Sequence, residues 1–266
     1  MSSLVELIDL EIQNRSLLKH PFYQKWSNGE LTLDHLQGYS KEYSQLVNAI
    51  PKMVENVGML ATDKKTHFAI VENQKEESEH IELWAKFASS LGVSKNNLLR
   101  YGGSIDTNLA ISKLINLTSG SFEEAICAMY AYEMELPKIS RSKIDGLKGF
   151  YNITGSDATE YFKTHEEVDV RHAQLWRSLI GDIPKSKHDV ALKAAIRSLE
   201  AQNDLLDAVC SQYVTPNSLS NLSCELGLLT LDYISQGIWN RKKILTEFFT
   251  MHTEILIHLF KTFIRT

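Results

Sequence analysis

Apolar residues recur at helical spacing along most of the first 214 residues. Leu4, Ile8, Ile12 and the pair Leu17-Leu18 form a first stripe that stops before His20-Pro21. Repeats of three and four positions mark one buried helix face. Ser27-Asn28-Gly29 reads as a turn. Thr32 or Asp34 then caps a second helix that carries Leu36, Tyr39, Tyr43, Leu46 and Ile50 inward. A long helix is predicted from about Lys64 to Leu91, with Gly92 as its stop.

Tyr101-Gly102-Gly103-Ser104 and Ser119-Gly120-Ser121 read as loops. Ser121 followed by Glu124 is a capping box, and it opens a helix predicted over Ala125 to Lys143 and broken at Asp145-Gly146. Ser156 or Asp157 caps the next helix, through about Ile180, and a last one fits Asp189 to Tyr213. No alternating stretch of useful length interrupts this pattern, so the expectation is an all-α bundle of about seven helices. The segment Thr215 to Ser223 is polar and reads as a linker. Beyond it, Ile244, Leu245, Phe248, Phe249, Ile255, Leu256, Leu259, Phe260 and Phe263 predict an additional C-terminal helical tail. The expected organisation is therefore one domain over residues 1–214 and an extension over 215–266.

Composition narrows the function classes. The 266 residues carry a formal charge of −5, with 43% hydrophobic and 23% charged residues, as in an ordinary globular protein. Arg241-Lys242-Lys243 is the richest basic run, too short for a phosphate-binding surface, so nucleic acid is not an expected partner. Three cysteines fit neither a disulfide framework nor a paired CxxC site. Residues 1–15 lack the basic-then-apolar order of a signal peptide. No run reaches the roughly 18 uncharged apolar residues of a membrane span. Cytoplasmic residence is expected, and the sequence argues neither for nor against export into a host cell.

Candidate chemistry concentrates on three predicted helices. In the segment from His165 to His172, His165, Asp169 and His172 stand at helix positions 0, 4 and 7. Two imidazoles and a carboxylate then share one face, a donor set suited to iron, manganese or zinc. Glu77 and His80 have the Glu-x-x-His spacing of di-metal bundle proteins. The competing reading is a charged outer face made by Glu76, Glu77, Glu79 and Glu82. Glu133 interrupts an apolar run, Ala125 to Tyr132, where a carboxylate is costly to bury without a cation or strong donors. A buried Arg or Lys partner would serve as well. Together these residues supply three carboxylates and three histidines, the count for a dinuclear site. Oxygen donors beside imidazole favour a di-iron or mixed iron/manganese pair with O2 as co-substrate.

Three separated strings carry a resemblance: HPFYQKWSNGELT (His20 to Thr32), YEMELPKISRSKI (Tyr132 to Ile144) and THEEVDVRHAQ (Thr164 to Gln174). They resemble the chlamydial proteins associating with death domains and their bacterial relatives. These belong to a heme-oxygenase-like group that includes PqqC, the TenA thiaminases and the alkene-forming decarboxylase UndA. The similarity covers about residues 5–214.

The resemblance implies a seven-helix heme-oxygenase-like bundle and a di-metal oxidase. It puts the metal ligands on Glu77, His80, Glu133, His165, Asp169 and His172. In the chlamydial relatives the first Glu and His lie about one helical turn further apart; here the spacing is Glu-x-x-His. Glu76 rivals Glu77, but only Glu77 is three residues from His80. The resemblance further implies p-aminobenzoate formation for folate synthesis, consuming the protein's own tyrosine, which matches Tyr23, with a lysine amine donor that matches Lys143. Tyr39, Tyr132 and Tyr161 fall at aromatic positions of the family and are expected to line the pocket or carry radicals. A homodimer is also expected.

The resemblance leaves rivals open. One is a PqqC-like oxidase of pyrroloquinoline quinone synthesis, which needs no metal. Another is a TenA-like thiaminase, with Cys127 as the nearest thiol. The third is an interaction module for host death-domain proteins, by analogy only.

Overall fold

The computed structural model describes residues 3–215. They fold into ten α-helices, with short 3-10 turns between some of them and no strand among the described residues. In chain order these are α1 (Leu4–Asn14), α2 (Pro21–Ser27), α3 (Leu33–Leu60), α4 (Lys64–Ser90), α5 (Lys95–Arg100), α6 (Ile105–Thr118), α7 (Phe122–Glu133), α8 (Leu136–Gly149), α9 (Ser156–Ile180) and α10 (His188–Val209). The predicted linker from residue 216 onward and the C-terminal helical tail lie outside the described residues. No helix among the described residues is long and apolar enough to cross a membrane.

Local chemistry sets most helix ends. The Thr32 hydroxyl accepts from the His35 amide at the start of α3, and Ser121 does the same for Glu124 at the start of α7. Such a cap satisfies an amide that the helix itself leaves unpaired. Gly92 takes φ 89° just beyond α4, a conformation that a side chain resists.

Ten helices replace the expected seven for identifiable reasons. The helix predicted over Ala125 to Lys143 is two, because Pro137 stands at the start of α8. Proline has no N–H to give the preceding turn, and it fits at a helix beginning. Short α2 and α5 have too few turns to show a period in the sequence. Asp145-Gly146 does not break a helix: α8 continues to Gly149. A Cβ on Gly146 would stand 2.5 Å from Nε1 of Trp26. The glycine thus lets α2 close against α8, where Trp26 Nε1 donates to the Lys143 carbonyl at 3.3 Å.

The layers follow from these helices. α4 packs between α3 and α9, α7 packs against α9 and α10, and α8 lies along α9. Trp26, Trp84 and Trp176 are fully buried among them. α4 and α9 run antiparallel, as ring pairs Trp84–Tyr161 (centroids 4.8 Å) and His80–His165 (4.2 Å) show. The interior between α3, α4, α7 and α9 is unusually polar for a bundle core.

Candidate metal centre

Helical spacing delivers the polar interior. On α4, Glu77 and His80 lie one turn apart and are both buried. On α9, His165, Asp169 and His172 are buried along one face. Glu133 is the last residue of α7 and 1% exposed. All six predicted ligands therefore meet in one region.

Five of them form two overlapping groups. One ligand atom each from Glu77, His80 and His165 lie within 4.8 Å of one another, and so do atoms of Glu77, Glu133 and His172. Glu77 belongs to both. Its Oε2 is 3.2 Å from His80 Nδ1 and its Oε1 is 3.2 Å from His172 Nδ1. Asp169 completes neither group, but its Oδ1 stands 3.8 Å from His172 Nδ1.

Glu76 occupies a different place. It lies at the rim, one-third exposed, where its Oε2 meets His172 Nε2 at 2.7 Å and its Oε1 accepts from Arg171 at 3.1 Å. The outer nitrogen of His172 is thereby fixed and Nδ1 is turned inward, the arrangement by which outer carboxylates orient metal-binding imidazoles. A single helix thus presents adjacent glutamates to opposite nitrogens of one ring.

The electrostatics expose an uncompensated site. Burial pushes the Glu133 carboxyl up to about 8, against the opposing pull of His172, and Trp176 Nε1 donates to its Oε2 at 2.6 Å. Burial, with Glu77 and Glu133 nearby, pushes Asp169 well above its ordinary value. Burial also acts on Glu77, but the facing imidazoles of His172 and His80 outweigh it and hold this carboxyl well below the usual range. Burial and the neighbouring His80 hold His165 down to about 3. For His172 burial is outweighed by Glu77 and Glu133, which carry it up to about 9.

Glu133 Oε1, both Asp169 carboxylate oxygens and His172 Nδ1 are buried with no hydrogen-bond partner. Buried polar atoms rarely stay unpaired, and orphaned groups gathered at one point call for an ion or water. Three carboxylates with three imidazoles fit a pair of divalent cations, and the hard oxygen donors suit iron or manganese.

An aromatic layer adjoins this region. Lys143 is 2% exposed, and its Nζ lies 5.2 Å from the Tyr23 ring centroid, 5.1 Å from Tyr39, 4.9 Å from Tyr43 and 5.1 Å from Phe162. It donates to the Tyr39 hydroxyl at 2.5 Å. Burial holds this amine down to about 7. From the cage a run of rings leads to the centre: Tyr39 to Trp84 at 5.7 Å, Trp84 to Tyr161 at 4.8 Å and Tyr161 to His165 at 4.0 Å. Tyr132 is buried beside Glu133 on α7. Burial first, then neighbouring acidic and phenolic groups, pushes Tyr23, Tyr39, Tyr132 and Tyr161 well above 10.

Sequence reasoning did not single out Trp84 or Trp176 for this site. Each stands four residues beyond a predicted ligand, His80 and His172 respectively, so extending the ligand stripes by one turn would have found both. Cys127 is fully buried, and burial pushes its thiol up to about 12. A thiol so placed is no nucleophile at neutral pH.

The sequence profile of the TENA/THI-4/PQQC family matches residues 7–211. The chain is 32% identical over 211 residues to the 4-aminobenzoate synthase of Chlamydia trachomatis, covering 77% of this chain and 91% of that protein. Among solved structures, a CADD-like protein of unknown function from Nostoc punctiforme superposes with a TM-score of 0.63 at 17% identity, over 79% of this chain and 96% of that one. A domain with a heme oxygenase-like fold from Shewanella denitrificans gives 0.64 at 16% identity, over 81% and 92%. The all-α bundle is therefore heme-oxygenase-like, and the chain belongs to the TENA/THI-4/PQQC family.

Proposed function

We propose that this protein is an O2-dependent di-metal oxidase that forms 4-aminobenzoate, taking the ring from its own Tyr23 and the nitrogen from Lys143. The observation that carries the reading is the buried pairing of Lys143 with Tyr23, Nζ to ring centroid 5.2 Å, beside two groups of ligand atoms. The likeness to the chlamydial 4-aminobenzoate synthase, extending over 91% of that protein, supports the product.

Glu77, His80, Glu133, His165, Asp169 and His172 would hold the cations. When bound, an iron or iron/manganese pair supplies O2 binding and the redox equivalents. The chain's own residues do the rest. The tyrosine ring with its Cβ contains seven carbons in para arrangement, the carbon count of aminobenzoate. Lys143, held at about 7, presents a substantial fraction of free amine at neutral pH, and only the free base has a lone pair to form a C–N bond. Its hydrogen bond to Tyr39 keeps that nitrogen against the rings. Tyr161, Trp84 and Tyr39 connect His165 to the cage and offer a path for one-electron oxidation of the Tyr23 ring. Close packing of Phe22 on Tyr23, centroids 5.6 Å apart, keeps water from the reacting ring. A chain that gives up Tyr23 acts once.

The test is growth of a 4-aminobenzoate auxotroph. Wild-type protein is expected to restore growth without the supplement, whereas Tyr23→Phe and Glu133→Ala are expected to fail while accumulating to wild-type level. Full rescue by both variants would sink this reading.

A further inference from the structure

Seven side-chain polar atoms among the described residues are buried without a hydrogen-bond partner, and two of them are the Nδ2 and Oδ1 of Asn73. Thr107 contributes one, and the remaining four belong to Glu133, Asp169 and His172. Asn73 is 2% exposed. An amide so placed forgoes up to four hydrogen bonds, and leaving them unmade in the interior is costly.

Other asparagines of the bundle show what a structural role looks like. Asn48 and Asn203 each donate to the carbonyl four residues back, and Asn56 donates to Ser119. Asn73 makes none of these bonds.

The register of α4 against α9 fixes where Asn73 stands. Asn73, Glu77, His80 and Trp84 follow one face of α4 at intervals of four, three and four. Trp84 meets Tyr161, His80 meets His165, and Glu77 meets His172 across the antiparallel pair. One more turn brings Asn73 to the level of His172 and Trp176, and Trp176 is the donor to Glu133. Asn73 therefore belongs to the Glu133–His172 end of the centre and not to the His80–His165 end.

We propose that Asn73 is a further residue of this centre, its side-chain amide holding an oxygen ligand, a water or hydroxide, of the cation seated by Glu77, Glu133 and His172. Nδ2 donates to that oxygen and Oδ1 accepts from it, so both orphaned atoms are satisfied by one small molecule. The inference rests on the metal-centre reading above. It assigns the two ends of the centre different surroundings, since the Glu77–His80–His165 end has no such amide on its stripe of α4.

Manganese(II) titrated into the metal-free full-length chain, in competition with a chelator, tests it. Wild-type protein is expected to take up two equivalents. Asn73→Leu, with the same branched outline but no polar atoms, is expected to bind one equivalent as before and the other at least about tenfold more weakly, the scale on which outer partners tune metal sites. Asn73→Asp, which keeps an oxygen in place, is expected to retain both equivalents at wild-type strength or better. Metal-free Asn73→Leu is expected to unfold at a higher temperature than metal-free wild type, because an unpaired amide has been removed.

Two unchanged equivalents in Asn73→Leu overturn the proposal and leave the centre itself standing. If Asn73→Leu does not fold, loss of one equivalent in Asn73→Asp overturns it as well. A wild-type chain that binds no manganese overturns the metal-centre reading, and this inference with it.

Discussion

Replacing Glu77 with alanine is expected to empty both halves of the centre at once. Glu77 is the one carboxylate common to the two ligand groups, with Oε2 against His80 and Oε1 against His172. His80, His165, Glu133 and His172 each serve one group, so His80→Ala and Glu133→Ala are each expected to spare half the metal. Outer partners of metal ligands already change affinity by about 10–100-fold, and a shared inner ligand exceeds that for both cations. Elemental analysis for iron and manganese, on protein purified from metal-replete cells, is the measurement. The expected result is about two metals per chain in wild type, about one in His80→Ala and close to none in Glu77→Ala. Two metals retained in Glu77→Ala defeat the assignment. One retained would show that Glu77 serves a single cation.

Lys143→Met is expected to stabilise the fold and to abolish function, with a gain that depends on pH. Burial lowers the Lys143 amine from its ordinary 10.5 to about 7. Between those values the unfolded chain binds a proton that the folded chain has released, so stability rises with pH across this window. Below pH 7 both states are protonated, and the folded state carries the whole cost of a buried ammonium, on the order of 5 kcal/mol at 1.36 kcal/mol per unit. Above about 10.5 the cost is gone. Methionine fills the same space with no charge to bury. Urea unfolding at pH 6 and pH 9.5 is expected to show Lys143→Met ahead of wild type by most of that cost at the lower pH and by only about 1.4 kcal/mol at the higher. An equal difference at both pH values would mean that packing, not charge burial, sets the effect.

Much of this was legible in the sequence because helices transmit spacing directly into geometry. His165, Asp169 and His172 share a face for the reason their numbers suggest, and Glu77 meets His80 because α4 runs unbroken through both. Caps at Thr32 and Ser121 were equally readable, since the capping side chain bonds within its own turn. What sequence hid is whatever depends on a neighbour from elsewhere in the chain. Gly146 reads as a break and is instead the seat of Trp26, a contact made across 120 residues. Pro137 reads as part of one long helix, yet it starts a new one, so Glu133 ends α7 pointing into the core. Glu76 and Glu77 are rivals in the sequence, where the three-residue spacing to His80 favours Glu77; the packing of α4 on α9 puts Glu76 at the rim and Glu77 in the interior. Asn73 lies on the ligand stripe of α4, one turn before Glu77, but its absence of partners is visible only in the folded structure.

If Tyr23 is the ring source, as proposed, its burial ties the lifetime of the polypeptide to its own history. The ring is 2% exposed and wedged among Phe22, Tyr39 and the Lys143 cage. A chain that had surrendered it would keep a void where an aromatic side chain stood, and aromatic-to-alanine voids cost about 3–5 kcal/mol. Typical domains hold only about 5–15 kcal/mol in reserve. On that proposal, chains that have given up Tyr23 are expected to open more often than unused ones and to be degraded ahead of them. Brief protease exposure before and after a single turnover would reveal this as a drop in resistance; unchanged resistance would argue that Tyr23 stays in place.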